Sequence, residues 1–237
     1  MNDSLLTRLV AEAAGTMFLL AAVVGSGIMA DDLAADNSAV ALLANAVVTG
    51  AMLTVLITVL APLSGAHFNP AVTLGFALRK QISIQHSTGY VLAQAGGAVA
   101  GVVAAHAMFG MDLVQTATQP RSGMGQWLAE VVATFGLVST ILGTLRVRPN
   151  AVSAMVGLYI TAACWFTSST SFANPAVTLG RVLTDTFTGI APVDAGPFIA
   201  CQAVGAVLAV SAFSFLPQSG QSSEHRVCPP PNGRTGK

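Results

Sequence analysis

The sequence predicts an all-α membrane protein made of two repeats that run through the bilayer in opposite directions. Three observations support this fold class: 53% of the 237 residues are hydrophobic and only 8% are charged, six apolar segments are long enough to span a membrane, and one seven-residue motif occurs twice. A soluble domain carries about 25% charged residues. The composition therefore excludes a soluble enzyme, a disordered chain and a nucleic-acid-binding protein, and makes the lipid bilayer the expected surroundings of the chain.

The apolar segments divide into six full spans and two half-spans. A membrane-spanning helix needs about 20 predominantly apolar residues. Six segments meet this requirement: Leu5–Ala30, Ala39–Leu60, Thr88–Phe109, Met124–Leu145, Ala151–Ser168 and Asp194–Leu216. Two further segments, Asn69–Arg79 and Asn174–Thr184, are each about 16 Å long as helices, whereas the hydrocarbon core is about 30 Å thick. They are predicted to enter the membrane only halfway.

The distribution of basic residues predicts that both termini are cytoplasmic. With that orientation, eight of the ten Lys and Arg residues fall in cytoplasmic segments, and only Arg121 and Arg181 fall on the outer side. The first apolar segment is longer than the core of a cleavable signal peptide, so we expect it to be the first span. Residues 1–216 are predicted to form a single membrane domain, followed by a flexible cytoplasmic tail over the Pro-, Ser- and Gly-rich residues 217–237.

The membrane domain consists of two homologous halves, at about residues 1–115 and 120–216. The motif Asn-Pro-Ala-Val-Thr-Leu-Gly occurs at residues 69–75 and again, 105 residues later, at 174–180. Ala11-Glu12 likewise matches Ala129-Glu130, and Gln94-Ala95-x-Gly97 matches Gln202-Ala203-x-Gly205. Because each half has three spans, an odd number, the second half is inverted relative to the first, and the two motifs should meet at the midplane.

The repeated motif places a polar helix start at the centre of the membrane. Pro is favoured in the first turn of a helix, and Asn before it is a good N-cap. A helix start carries about half a positive charge, so two starts facing each other repel cations, while the Asn amides can donate hydrogen bonds to water or to a hydroxyl group. The predicted pore centre consists of Asn69, Pro70, Ala71, Asn174, Pro175 and Ala176.

The segments before the two motifs have no helical pattern. Non-helical backbone at membrane depth is tolerated where it is buried or lines a water-filled cavity. Its carbonyl groups could form a ladder of acceptors along a pore, which suits a neutral solute that carries hydroxyl groups. The predicted pore-lining loop residues are Gly65, Ala66, His67, Phe68, Thr170, Phe172 and Ala173.

With two Asn-Pro-Ala motifs in an inverted six-span repeat, the chain resembles the aquaporins, the major intrinsic protein family, over about residues 5–216. The resemblance implies six tilted helices plus two re-entrant half-helices, one pore per subunit, passive flow and a homotetramer. It also implies that Glu12 and Glu130 are structural braces that accept backbone N–H groups of the loops, and that the ring of His67 is an anchor. It implies no cofactor and no bound metal.

The resemblance places the outer selectivity filter at Thr49, Ala162, Ser171 and Val177. Water and glycerol channels of the family carry Arg at the position of Val177, so the filter of this chain is expected to be wide and to lack a fixed cation. Arg181 either lines the outer vestibule or is a snorkelling surface residue. The segment 165–178 resembles aquaporins associated with bacterial arsenic resistance. This implies a location in a bacterial inner membrane and passage of arsenite, an uncharged trihydroxide near neutral pH, beside polyols and water.

Two other functions remain open from the sequence. An ordinary water or glycerol channel would have the same repeat. A coupled secondary transporter also uses inverted repeats, but it needs ion sites such as midplane carboxylates. An enzyme is not expected, since no nucleophile–base set, metal cluster or phosphate-binding loop is apparent.

Overall fold

The computed structural model describes residues 4–215, which form eight α-helices and one short 3-10 turn. In chain order these are α1 (Leu5–Leu33), α2 (Ser38–Ser64), α3 (Pro70–Leu78), α4 (Ile84–Met108), α5 (Met124–Val147), the turn Pro149–Ala151, α6 (Val152–Phe166), α7 (Pro175–Arg181) and α8 (Pro192–Ser214). Six segments are long and apolar enough to cross a membrane, and α3 and α7 are short. The predicted all-α membrane fold is confirmed; the predicted tail, residues 217–237, lies outside the described residues.

Helix ends differ from the predicted ones because capping groups set them. The second helix runs past its predicted end to Gly65, which closes it in the left-handed conformation with a φ of 90°. The fourth helix begins before the predicted Thr88, because the side chain of Ser83 accepts a hydrogen bond from the His86 N–H at 3.2 Å. Hydropathy does not register such caps, so it misplaced these ends by several residues.

The two halves pack in the same way. Helix α1 lies against α4 and α2, α5 lies against α8 and α6, and α2 against α6 joins the halves. The repeated glycines Gly97 and Gly205 make the α1–α4 and α5–α8 contacts possible, since each lies directly on the backbone of the facing helix. A Cβ atom at Gly205 would fall 2.5 Å from the carbonyl oxygen of Val131.

The half-helices enter from opposite ends of the bundle and meet end to end. Six crossings bring the first and last described residues to one end of the bundle, which we call the inner end; the opposite end is the outer end. Helix α3 runs from the centre to the inner end, and α7 runs from the centre to the outer end. The loops that precede them contain non-glycine residues with positive φ, which are Ala66, Phe68, Thr170, Ser171 and Ala173. Left-handed backbone costs about 1–2 kcal/mol per such residue and collects at functional sites.

Candidate functional site

Each Asn-Pro-Ala motif begins a half-helix with its asparagine as the N-cap. The Oδ1 of Asn69 accepts a hydrogen bond from the Ala71 N–H at 2.8 Å, and Pro70 occupies the first turn. In the second motif, Asn174 Oδ1 accepts from the Ala176 N–H at 2.9 Å. Both side-chain amides are therefore oriented by their own helix starts.

The two asparagines also connect the halves to each other. Asn69 Nδ2 donates to the carbonyl oxygen of Ala173 at 2.8 Å, and Asn174 Nδ2 donates to the carbonyl oxygen of Phe68, also at 2.8 Å. A side-chain amide carries two N–H donors, so each asparagine keeps one more. Both side chains line a cavity, and the remaining donors are available there.

This central cavity is small. Its volume is about 70 Å³, and about 10–15 Å³ by this measure is enough to hold one water molecule. Eleven predicted site residues line it, namely Thr49, Ala66, His67, Phe68, Asn69, Thr170, Ser171, Phe172, Asn174, Val177 and Arg181. Their convergence on one cavity brings the two motifs, both loops and most of the predicted filter together.

A wider vestibule of about 480 Å³ continues the cavity at the inner end. Ala66 and His67 border both spaces, and Gly65 borders the vestibule alone. Pro70, Ala71, Pro175 and Ala176 lie on the far side of the half-helix starts, where they border an apolar crevice. The path therefore narrows from the inner end towards the centre.

The loops leave several carbonyl groups without a donor. Among residues 4–215, no group donates to the backbone oxygens of residues 65–67 or 170–172, whereas those of Phe68 and Ala173 accept from the two asparagines. An unpaired carbonyl is costly unless water or a solute pairs with it. These oxygens are thus acceptors for whatever fills the cavity and the vestibule.

Glu12 anchors the first loop by accepting hydrogen bonds from it. Its Oε1 accepts from the Ser64 hydroxyl at 2.7 Å and from the His67 N–H at 2.9 Å, and its Oε2 accepts from the Phe68 N–H at 2.7 Å and from Gln94 Nε2 at 2.8 Å. The side chain is fully buried and does not line the cavity. All four bonds go to groups that shape the loop.

Glu130 holds the second loop in the same way. Its two oxygens accept from the N–H groups of Phe172 and Ala173, both at 3.0 Å, and Oε2 also accepts from Gln202 Nε2 at 2.6 Å. This side chain is fully buried too. The residues repeated between the halves thus form two equivalent networks.

The ring of His67 is fixed by its neighbours. Its Nδ1 lies 3.0 Å from the hydroxyl of Thr73, which already donates to the Asn69 carbonyl oxygen at 3.1 Å. When the hydroxyl keeps this bond, it accepts from a protonated Nδ1. The ring also stacks on Phe76 with centroids 4.7 Å apart and meets Tyr90 edge-on at 5.3 Å.

Arg181 points inward at the outer end of the cavity. Only 6% of the residue is exposed, its guanidinium carbon lies 3.4 Å from the centroid of the Phe172 ring, and its Nε donates to the Thr188 carbonyl oxygen. Although the position after the second motif is Val177, Arg181 places a cation in the cavity wall. Residues four apart share one face of a helix, which explains why Arg181 reaches the same wall as Val177.

Ala162 is the one predicted filter residue that does not reach the cavity. It is exposed on the outside of the bundle, and Ile160 and Cys164 line the cavity from α6 instead. The resemblance places this position about twelve residues before Asn174, and the non-helical residues between α6 and α7 mean that this spacing does not set the helical phase of α6. Sequence reasoning also missed Asn45, another lining residue, although a polar side chain in an apolar span is a signal of function.

A clip between two outer loops encloses this end. Gln115 and Ala117 N–H groups donate to backbone oxygens of residues 183 and 182 at 3.1 and 3.0 Å. The Asp185 carboxylate accepts from both the N–H and the hydroxyl of Thr118 at 2.8 Å, and these two bonds lower the pKa of Asp185. Arg121 follows this segment, where its Nε donates to the carbonyl oxygen of Gly189 at 2.7 Å.

The chain is similar to aquaporins in sequence and in fold. Residues 2–170 match the family model described as "Major intrinsic protein". Aquaglyceroporin AqpS of Rhizobium meliloti (strain 1021) is 53% identical over 222 residues, which cover 94% of this chain and 95% of that protein. Probable aquaporin TIP2-2 of Oryza sativa subsp. japonica is 35% identical over 205 residues, covering 80% and 81%. The solved structure of the aquaglyceroporin from Plasmodium falciparum shares the fold, with a TM-score of 0.73, 19% identity, and coverage of 90% of this chain and 97% of that one.

Proposed function

This chain belongs to the major intrinsic protein family, whose members are membrane channels and not enzymes, and we propose that it conducts small uncharged hydroxylated solutes passively. The observation that carries the proposal is the pairing of donors and acceptors along one narrow cavity. Asn69 and Asn174 each keep one N–H donor there, and the loop carbonyls remain unpaired. A hydroxyl group satisfies both kinds of partner.

The same geometry disfavours ions. Two helix starts face each other at the centre, and their partial positive charges repel cations. A water molecule that accepts from the asparagines must point its own hydrogens away, so a continuous wire for protons is interrupted at this level. The permeant class is therefore neutral.

Arsenite, glycerol and water are the solutes we propose for the channel. Arsenite near neutral pH is an uncharged trihydroxide and resembles glycerol in the number of its hydroxyl groups. The name of the relative AqpS, an aquaglyceroporin, supports glycerol-type solutes. Val177 leaves the position after the second motif apolar, while Arg181 supplies a cation further out, so the mouth combines a small side chain with one guanidinium.

The cavity argues against a coupled transporter. Such a protein needs carboxylates that bind the coupling ion near the midplane. Glu12 and Glu130 do not line the cavity, and their oxygens are occupied by loop donors. An ordinary water or glycerol channel differs from the proposal only in its ranking of solutes.

We further propose a homotetramer in a bacterial inner membrane, with the inner end cytoplasmic. Large apolar side chains are exposed on the outer faces of the long helices, for example Val55, Val59 and Leu158 at 57, 63 and 63%. These faces suit lipid or a neighbouring subunit. The predicted excess of basic residues on the inner side supports the orientation.

Permeability measurements in liposomes test the function. Purified protein should raise arsenite, glycerol and water flux above that of empty liposomes, without saturation and without accumulation against a gradient. Val177→Arg should reduce arsenite and glycerol flux more than water flux, because it adds a long side chain with five donors to a narrow cavity. Leu179→Met, on the same half-helix but bordering the apolar crevice, is the matched control. Saturating or uphill flux in the wild type contradicts passive conduction, and an unchanged arsenite-to-water ratio in Val177→Arg contradicts the role given to residue 177.

A further inference from the structure

The second and seventh helices place a second pair of polar side chains in the cavity wall, outside the predicted filter. We propose that this chain selects its solutes at Asn45 and Arg181, one helical turn outside the level of Thr49 and Val177. The inference rests on the proposed function, because it names the residues and the substrate class of the same pore. All four residues line the cavity.

The directions of α2 and α7 place both Asn45 and Arg181 closer to the outer end than Thr49 and Val177. Helix α2 runs from the outer to the inner end, so Asn45 lies about 6 Å further out than Thr49, four residues later. Helix α7 runs outward, so Arg181 lies about 6 Å further out than Val177, four residues earlier. A spacing of four keeps each residue on the face of its partner. Asn45 and Arg181 are therefore offset from Thr49 and Val177 by the same distance and in the same direction.

Asn45 presents a fixed acceptor to the cavity. Its Nδ2 donates to the carbonyl oxygen of Val23 at 2.7 Å and to the hydroxyl of Ser26 at 2.9 Å. A carbonyl can only accept, so these bonds settle which end of the amide is nitrogen. Among residues 4–215 no group donates to Oδ1, although the residue is only 7% exposed. The oxygen is held ready for a solute.

Arg181 presents fixed donors. Its Nε is bound to the carbonyl oxygen of Thr188, and its guanidinium plane is held on the Phe172 ring. Within the described part of the chain, its two terminal amino groups donate to no protein acceptor. A side chain clamped at Nε and on its face cannot swing outward, so these amino groups stay at the cavity wall.

The two residues converge around Gly27 of α1. A Cβ atom at Gly27 would collide with the side chain of Thr188, whose carbonyl anchors Arg181, and would lie 3.7 Å from Asn45 Nδ2. Only glycine leaves room for this approach. Asn45 and the residue that anchors Arg181 thus pack around the same glycine, and both Asn45 and Arg181 line the same cavity.

This arrangement recognises a neutral solute with at least two neighbouring hydroxyl groups. One hydroxyl donates to Asn45 Oδ1, and the oxygen of the next accepts from the Arg181 amino groups. A water molecule can also pair with both partners, but a polyhydroxylated solute pairs with them through two hydroxyl groups of one molecule and so replaces more than one water on entry, while a cation is repelled by the guanidinium. The polyhydroxylated class, which includes glycerol and arsenite, is favoured over single hydroxyl groups.

Isosteric removal of the acceptor tests this selection. Asn45→Leu keeps the bulk of the side chain but removes Oδ1, together with the Nδ2 bonds to Val23 and Ser26, and Arg181→Leu removes the donors. We expect Asn45→Leu to lower the glycerol-to-water permeability ratio in liposomes about fivefold, the equivalent of one neutral hydrogen bond, and Arg181→Leu to lower it about tenfold or more, because hydrogen bonds from a charged group are stronger. The double variant should fall little further than Arg181→Leu alone, because both act on the same bound solute. Val47→Leu, on the exposed face of the same helix, is the matched control.

The outcomes separate this inference from the proposed function. Wild-type protein that conducts neither glycerol nor water contradicts the proposed function. Wild-type conduction with an unchanged or raised ratio in Asn45→Leu overturns the inference, and so does a larger change in Thr49→Ala than in Asn45→Leu. If Arg181→Leu does not insert, Arg181→Lys takes its place: it keeps the charge but loses the fork, and the ratio should still fall. A ratio in Arg181→Lys equal to that of the wild type overturns the role of the paired donors.

Discussion

Replacing Glu130 by alanine should strongly destabilise the protein. The Glu130 oxygens accept from the N–H groups of Phe172 and Ala173, both at 3.0 Å, and all three residues are buried. Glu130→Ala leaves two buried backbone donors unpaired, at about 1–3 kcal/mol each, or about 2–6 kcal/mol together. A chain of this size loses about 2–4 °C in unfolding midpoint per kcal/mol. The expected decrease is therefore about 4–24 °C.

Thermal unfolding in detergent, followed by intrinsic fluorescence or by loss of the monodisperse species, measures this decrease. Thr134→Val is the matched control: Thr134 lies one turn further along α5, and its buried hydroxyl has no partner among residues 4–215. Its isosteric replacement should leave the midpoint unchanged or raise it. Glu12→Ala should cost at least as much, since Glu12 accepts four hydrogen bonds. A decrease of less than about 2 °C in Glu130→Ala would refute the role of the carboxylate as a brace.

Three further changes test other parts of the fold. Asn174→Asp replaces a donor at the meeting point of the half-helices by a carboxylate, so proton leak into dye-loaded liposomes should rise; an unchanged leak contradicts the pore-centre assignment. Gly205→Ala should lower the unfolding midpoint by separating α5 from α8, whereas Gly196→Ala on the same helix, with open space around it, should not; equal midpoints would show that the close approach is unimportant. The Thr118 hydrogen bonds lower the pKa of Asp185. They therefore stabilise the outer clip fully above about pH 3.9, the pKa of an Asp in the unfolded chain, and this stabilisation is lost as the pH falls through the lowered pKa of the folded protein. Intrinsic-rate-corrected amide exchange of residues 115–118 should thus rise only below about pH 4, and a rise near pH 6 would contradict this assignment.

The repeat made the inverted fold predictable, together with the residues of its centre. Asn69 and Asn174 are identical in sequence context, and their helix-starting chemistry is local, so no knowledge of packing was needed to place them. Gln94 and Gln202 also recur in the same order, and the structure shows that they are equivalent partners of Glu12 and Glu130, although the sequence did not predict that role. Elements that repeat in the chain also repeat in space.

The outer end was less predictable because its geometry depends on non-local contacts. The direction of Arg181 is set by the ring of Phe172 and the carbonyl of Thr188, and neither contact has a signature in the chain. The phase of α6 depends on where the helix stops before the second loop, at Phe166, and this displaced Ala162 from the cavity in favour of Cys164. Local pattern determines which residues begin a helix; the tertiary fold determines which side of it faces the solute.

The crossed hydrogen bonds of the two asparagines have a consequence for biosynthesis. The Asn69 amide donates to a carbonyl oxygen 104 residues downstream, and the Phe68 carbonyl oxygen accepts from an amide 106 residues downstream. At a synthesis rate of about 5–20 residues per second, the tip of α3 is exposed in the membrane for roughly 5–20 s before its partner has been translated. Through that interval the insertion machinery, or water held in the nascent vestibule, must satisfy the amide. The first half is thus inserted with hydrogen-bonding groups at its centre unpaired, and they find their protein partners only when the second half has been inserted.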